Sequence, residues 1–149
     1  MASDISLLLR DISALISEEL PNLQERRYNI SWKDDGSPVT DADIYLENAI
    51  ETVLRSRIGE IEFIGEETWK EGIAANVEWR AVLDPIDGTE NFCSGLKEWG
   101  TSLSIWRHQE HAGSLLMMPG AHSIRASFAN SGLFVLVSPG NRRGPCYQS

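Results

Sequence analysis

Cysteine is scarce in this chain. Cys93 and Cys146 are the only two in 149 residues, too few for a disulfide framework, so a reducing compartment is expected. No apolar run approaches the roughly 20 residues a membrane-spanning helix needs. Asp4 stands where a secretory leader would be basic or apolar. Together these point to a cytoplasmic protein. Positive charge is also short: 13 Lys and Arg face 22 Asp and Glu, a formal net charge of −9. That balance argues against a nucleic-acid polymer or an anionic membrane as partner. His108, His111 and His122 lack metal-ligand spacing. The five tryptophans lack the basic interleaving of a base-stacking platform. Internal repeats and low-complexity segments are absent.

What remains is ordinary globular material, 42% hydrophobic and 23% charged, long enough for one domain with a core. Ile5, Leu8, Leu9, Ile12, Leu15 and Ile16 recur at helical spacing, and Pro21 is expected to end or kink that helix near Leu20. Trp32 to Pro38 reads as a loop. The strongest helix follows. Ala42, Tyr45, Leu46, Ala49, Ile50, Val53 and Leu54 form one stripe, Thr40 is the N-cap answered by Asp43, and Gly59 is the stop. Ile61 to Ile64 reads as a short strand, and Trp69 to Val77 as a mobile excursion. Gly100 to Arg107 alternates as a strand, with His111 to Met118 antiparallel to it across a turn near Gln109 and Glu110. One more strand fits within Ser127 to Val137, and Asn141 to Ser149 reads as a loose tail. Early helices followed by strands predict an α+β fold of layered helix and largely antiparallel sheet.

The stretch Ala81-Val82-Leu83-Asp84-Pro85-Ile86-Asp87-Gly88-Thr89 is the most informative. Ala, Val and Leu in succession read as a buried strand, which ends at Asp84 and gives way to a turn opening into a helix. Two carboxylates at a strand's end, next to a helix N-terminus, can hold a hard cation and a phosphate side by side. An acidic protein needs such a cation before a phosphate can approach. Two other segments place acids at element edges: Asp43 at a helix start, and Glu66 with Glu67 after a strand. Each also suits a purely structural role, as a cap, a charged turn or an Asx-type turn respectively.

In combination, Val39-Thr40-x-x-Asp43, Gly65-Glu66-Glu67 and Asp84-Pro85-Ile86-Asp87-Gly88-Thr89 closely resemble the inositol monophosphatase family. The resemblance runs from the N-terminal helices to about Met118. It implies the N-terminal portion of an αβαβα sandwich over 1–118, with a divergent segment over 119–149. It also implies a Mg²⁺-dependent, lithium-sensitive phosphomonoesterase acting on a small phosphorylated metabolite such as an inositol monophosphate. Carried over by motif, Glu66, Asp84 and the Ile86 carbonyl would ligate a first metal. Asp84 would bridge to a second metal that Asp87 also holds, and Glu67 would act through water. Thr89 with Asp43 would orient and deprotonate the attacking water, the N–H groups of Gly88 and Thr89 would cradle the phosphate, and Lys33 would stand near the site.

Alternatives within the superfamily are a 3′(2′),5′-bisphosphate nucleotidase and a fructose-1,6-bisphosphatase. The family's Trp-Asp motif, whose Asp completes the second metal site, is missing from this sequence. A truncated, non-catalytic fragment that binds metal and associates with a partner or a second copy is therefore a further alternative. A haloacid-dehalogenase-type phosphatase ranks lower, because its two aspartates are two apart, whereas Asp84 and Asp87 are three apart around Pro85.

Overall fold

Ile5, Leu8, Leu9, Ile12 and Ile16 are buried along one stripe of a long first helix, α1 (Ala2–Arg26). Burying each such aliphatic side chain contributes about 1.5–3 kcal/mol. The computed structural model describes residues 2–67, 76–121, 123–128 and 133–137. Of the end or kink expected near Leu20, the end does not occur: α1 runs through Pro21 to Arg26. Pro21 lies on the exposed side, while Ile16 before it and Leu23 after it are both fully buried. Core packing on either side outweighs the lost backbone bond.

Two short strands, β1 (Ile30–Trp32) and β2 (Pro38–Thr40), pair antiparallel around the expected loop. The next helix, α2 (Asp41–Ile58), starts as its sequence predicts. The Thr40 hydroxyl accepts from the Asp43 N–H while the Asp43 carboxylate accepts from the Thr40 N–H, a complete capping box. Gly59 closes the helix at φ 89°.

The main sheet has six strands in chain order: β3 (Glu62–Gly65), β4 (Trp79–Asp87), β5 (Gly100–Arg107), β6 (Glu110–Met118), β7 (Ser123–Phe128) and β8 (Leu133–Val137). Only β3 and β4 are parallel; every later pair is antiparallel. The β5–β6 turn falls on His108 and Gln109, at φ 46° and 68°, one residue earlier than the sequence suggested. Two consecutive left-handed residues match the twist of a tight hairpin. The one further strand expected within Ser127–Val137 is β8, while β7, centred before that range, has no counterpart in the sequence expectation; both are hydrogen-bonded into the sheet. Trp69 to Ala75, most of the expected excursion, lies outside the described residues, as do His122 and the tail.

Helices α1 and α2 cover one face of the sheet. Ala81 and Leu83 of β4, Leu103 and Ile105 of β5, and Leu115 and Met117 of β6 point into that layer and are at most 3% exposed. Their alternating neighbours point the other way, with Val82 41% and Leu116 52% exposed. The unbroken apolar run before Asp84 suggested a strand buried throughout. Instead β4 is covered on one face, because the described residues place helices on one side only.

Candidate active site

The acids collect where β3, β4, α2 and α3 (Thr89–Cys93) meet. The strand expected to end at Asp84 continues to Asp87 through a bulge. Asp84 pairs with Ser102 and Asp87 with Gly100, so three steps on β4 match two on β5. The extra residue absorbs Pro85, which has no N–H to give the ladder. The bulge is held from β5. Thr101, fully buried, donates its hydroxyl to the Pro85 carbonyl at 2.8 Å.

Beyond the bulge, Gly88 caps α3 at φ 87°, a left-handed conformation costly to any residue with a Cβ. A Cβ there would also lie 3.2 Å from the Glu98 carbonyl oxygen. No side chain caps the α3 N-terminus. Thr89, the first residue of α3, points back: its Oγ1 is 3.0 Å from the Ile86 carbonyl oxygen and 3.3 Å from Asp43 Oδ1. With one proton, the hydroxyl donates to one or the other. Asp43 is fully buried; its Oδ2 accepts from the Thr40 N–H at 2.8 Å and the Thr40 hydroxyl at 2.6 Å. Burial pushes the Asp43 carboxyl above its ordinary range despite these donors.

On the other side of Asp84 lies the turn after β3. Glu66 donates its N–H to the Leu83 carbonyl at 3.1 Å, which sets it beside the start of the bulge. Lys33 Nζ is 2.9 Å from the Glu67 carboxylate and 3.6 Å from Glu66. Glu67 is half-buried, and desolvation raises its pKa against the pull of Lys33.

Asp84 sits between these groups. Its Oδ1 is buried and has no hydrogen-bond partner. Burial first, then the adjacent Glu66 carboxylate, then Asp87 and Asp43, push the Asp84 carboxyl up to about 8. Among the described residues, no three Asp, Glu, His or Cys side chains close into a metal cage. The acids form an open array instead. An all-oxygen array fits a hard cation that keeps several of its own waters, and fits a soft or cage-bound metal poorly.

Every residue singled out from the sequence thus lies in this one region, with Asp87 and Gly88 on its exposed side. Sequence reasoning missed two. Thr101 reads as one more polar position in an alternating strand, and nothing in the sequence marks it. Glu47, fully buried, accepts the Glu67 N–H at 3.0 Å. The signal for it was its position four residues after Asp43, on the same helix face. Cys93 is a free, half-buried thiol whose pKa burial raises, the opposite of an activated thiolate. Trp99 packs edge-on against Phe92, with ring centroids 5.0 Å apart. His111 lies 2.6 Å from the Ser114 hydroxyl. No helix among the described residues is long and apolar enough to cross a membrane.

Known proteins share both sequence and fold with this chain. A Streptomyces griseus protein named glucose-1-phosphate thymidylyltransferase is 33% identical over 108 residues, 72% of this chain and 41% of its own length. The chloroplastic bifunctional phosphatase IMPL2 of Arabidopsis thaliana is 37% identical over 82 residues, 54% of this chain and 23% of its own. Among solved structures, an IMPase/NADP phosphatase complexed with Mg²⁺ and phosphate superposes with a TM-score of 0.82 at 18% identity. It covers 90% of this chain and 51% of that one. The chain therefore spans between 23% and 51% of the length of these proteins. The model of the inositol monophosphatase family matches residues 3–139, across all three acidic motifs, and the chain belongs to that family.

Proposed function

We propose that this chain supplies the cation- and phosphate-holding part of a site that hydrolyses a small phosphomonoester of the inositol monophosphate class, with Mg²⁺ as the cation. One observation carries the reading. Asp84 Oδ1 is buried without a donor, beside a second carboxylate, in an array of oxygen ligands. A buried carboxylate in that position is costly unless a cation compensates it.

Glu66, Asp84 and Asp87, with the Ile86 carbonyl oxygen, would hold the cation, and Glu67 would reach it through water. When bound, a divalent cation lowers the pKa of a coordinated water and neutralises charge on the departing oxygen. Thr89 and Asp43 handle the proton. With the Thr89 hydroxyl donating to Asp43 Oδ1, its oxygen lone pairs accept from the attacking water and orient it. Burial makes Asp43 the stronger base, which suits it to draw that proton through Thr89. The uncapped N–H groups of Gly88 and Thr89 would face the phosphate. Lys33 balances the charge of Glu66 and Glu67. A cytoplasmic setting accords with this chemistry.

A second reading is favoured by the open sheet face, where Val82 and Leu116 are exposed. There the chain holds the cation without catalysis and associates with a partner or a second copy. Phosphate release decides between them. The purified chain with Mg²⁺ is offered inositol monophosphate, a 3′,5′-nucleotide bisphosphate and fructose 1,6-bisphosphate. Release that requires Mg²⁺, falls with Li⁺ and is lost in Asp84→Asn supports the first reading, and the preferred compound identifies the substrate class. Mg²⁺ binding without release from any of them supports the second. Neither binding nor release contradicts both.

A further inference from the structure

Glu47 has no part in the chemistry above, yet it is fully buried one helical turn after Asp43. A carboxylate so placed must satisfy its oxygens within the protein. Oε2 accepts the Glu67 N–H at 3.0 Å. Oε1 occupies the space beside Gly65: a Cβ built on Gly65 would lie 2.0 Å from Oε1 and 2.3 Å from Cδ. Glycine at 65 is therefore the condition for Glu47 to enter. Gly65 itself bears no special backbone angle, so steric room, not φ, is what the position requires.

The turn is pinned at three successive residues. Gly65 is in register with Leu83 on β4, the Glu66 N–H donates to the Leu83 carbonyl at 3.1 Å, and the Glu67 N–H donates to Glu47. The Glu67 carboxylate is turned to Lys33 at 2.9 Å. With its neighbours fixed on both sides, Glu66 is left to project its carboxylate toward Asp84, whose pKa it raises more than any other charged neighbour does.

We propose that Glu47 is a positioning residue: admitted by Gly65, its carboxylate clamps the Glu67 amide and so aims the Glu66 carboxylate at Asp84. This rests on reading Glu66 and Asp84 as cation ligands. Groups that orient metal ligands without touching the metal typically cost about 10–100-fold in affinity when removed.

The test uses the full chain, with Mn²⁺ as the probe in titration calorimetry and amide exchange at Glu67 followed by NMR. Glu47→Ala is expected to speed Glu67 exchange at least about tenfold and to weaken Mn²⁺ binding by about 10–100-fold. Glu47→Gln keeps an acceptor oxygen, and is expected to retain amide protection and most of the affinity. Gly65→Ala drives a Cβ into the carboxylate, and is expected to reproduce the loss but to add little on top of Glu47→Ala. A folded Glu47→Ala chain with unchanged Mn²⁺ affinity or unchanged Glu67 protection overturns the proposal. So does a Glu47→Gln chain that keeps the protection but binds Mn²⁺ as weakly as Glu47→Ala, because charge and not position would then matter. If Glu47→Ala does not fold, Glu47→Gln and Gly65→Ala carry the decision. An unmodified chain that takes up no Mn²⁺ sinks the cation reading alone, while the Glu67 exchange rates still decide whether Glu47 clamps the turn.

Discussion

Thr101 and Pro85 are joined across the bulge of β4, the buried Thr101 hydroxyl donating to the Pro85 carbonyl at 2.8 Å. The bond fixes the irregular step between β4 and β5, the step that carries Asp84 and Asp87 on either side of it. Thr101→Val keeps the shape and strands a buried carbonyl oxygen. It is expected to cost about 1–3 kcal/mol in urea unfolding and to weaken divalent-cation binding. Unchanged stability would show that the bulge holds itself.

The Asp84 carboxyl gives a defined pH dependence. Burial and the adjacent Glu66 carboxylate push its pKa up to about 8 in the folded chain, far above its ordinary 3.8, so the native state holds the proton more tightly than the unfolded state does. In a chelating buffer, this group's contribution to stability is therefore lost progressively as pH rises from about 4 to about 8, and the penalty is complete above that. Asp84→Asn cannot ionise and is expected to flatten the decline. Melting temperatures across the range check this, and equal slopes in the two chains would contradict it. Added Mg²⁺ is expected to restore the parent above pH of about 7, since the cation then stands in for the proton.

Thr89→Val removes one donor from Asp43 and the hydroxyl that orients water. Stability is expected to fall by only about 1 kcal/mol, whereas phosphate release, if the chain is active, is expected to drop by about 10²–10⁴-fold. Cation binding measured by calorimetry should be nearly unchanged. Matching losses in binding and release would place Thr89 among the structural contacts instead.

Gly88→Ala places a side chain at φ 87° against the Glu98 carbonyl. A cost of about 1–2 kcal/mol is expected from the backbone alone, read as a lower urea midpoint at constant slope. No change would mean that the loop after α3 shifts freely.

Parts of this molecule are legible in its sequence for physical reasons. The capping box of α2 shows because Thr40 and Asp43 are local, three residues apart, and need no tertiary partner. The acids of the site show because their motif spacing is contiguous. Features that arise between distant segments do not show. Glu47 looks like a solvated helix position until the turn after β3 packs over it. Val82 looks buried because an apolar run does not say how many faces of its sheet are covered. Pro21 looks like a helix end because the burial of Leu23, which carries α1 past it, depends on the core it joins, built from distant segments. Thr101 is silent because its partner is a backbone carbonyl, which has no sequence signature.

The most direct measurement is a calorimetric titration of Mg²⁺ into the full chain and into Asp84→Asn, at a pH above about 8, where Asp84 is ionised. Saturable binding by the parent, abolished by the single substitution while both chains remain folded, is the expected result. Equal heats from the two chains, or no binding by the parent, would contradict a cation site centred on Asp84.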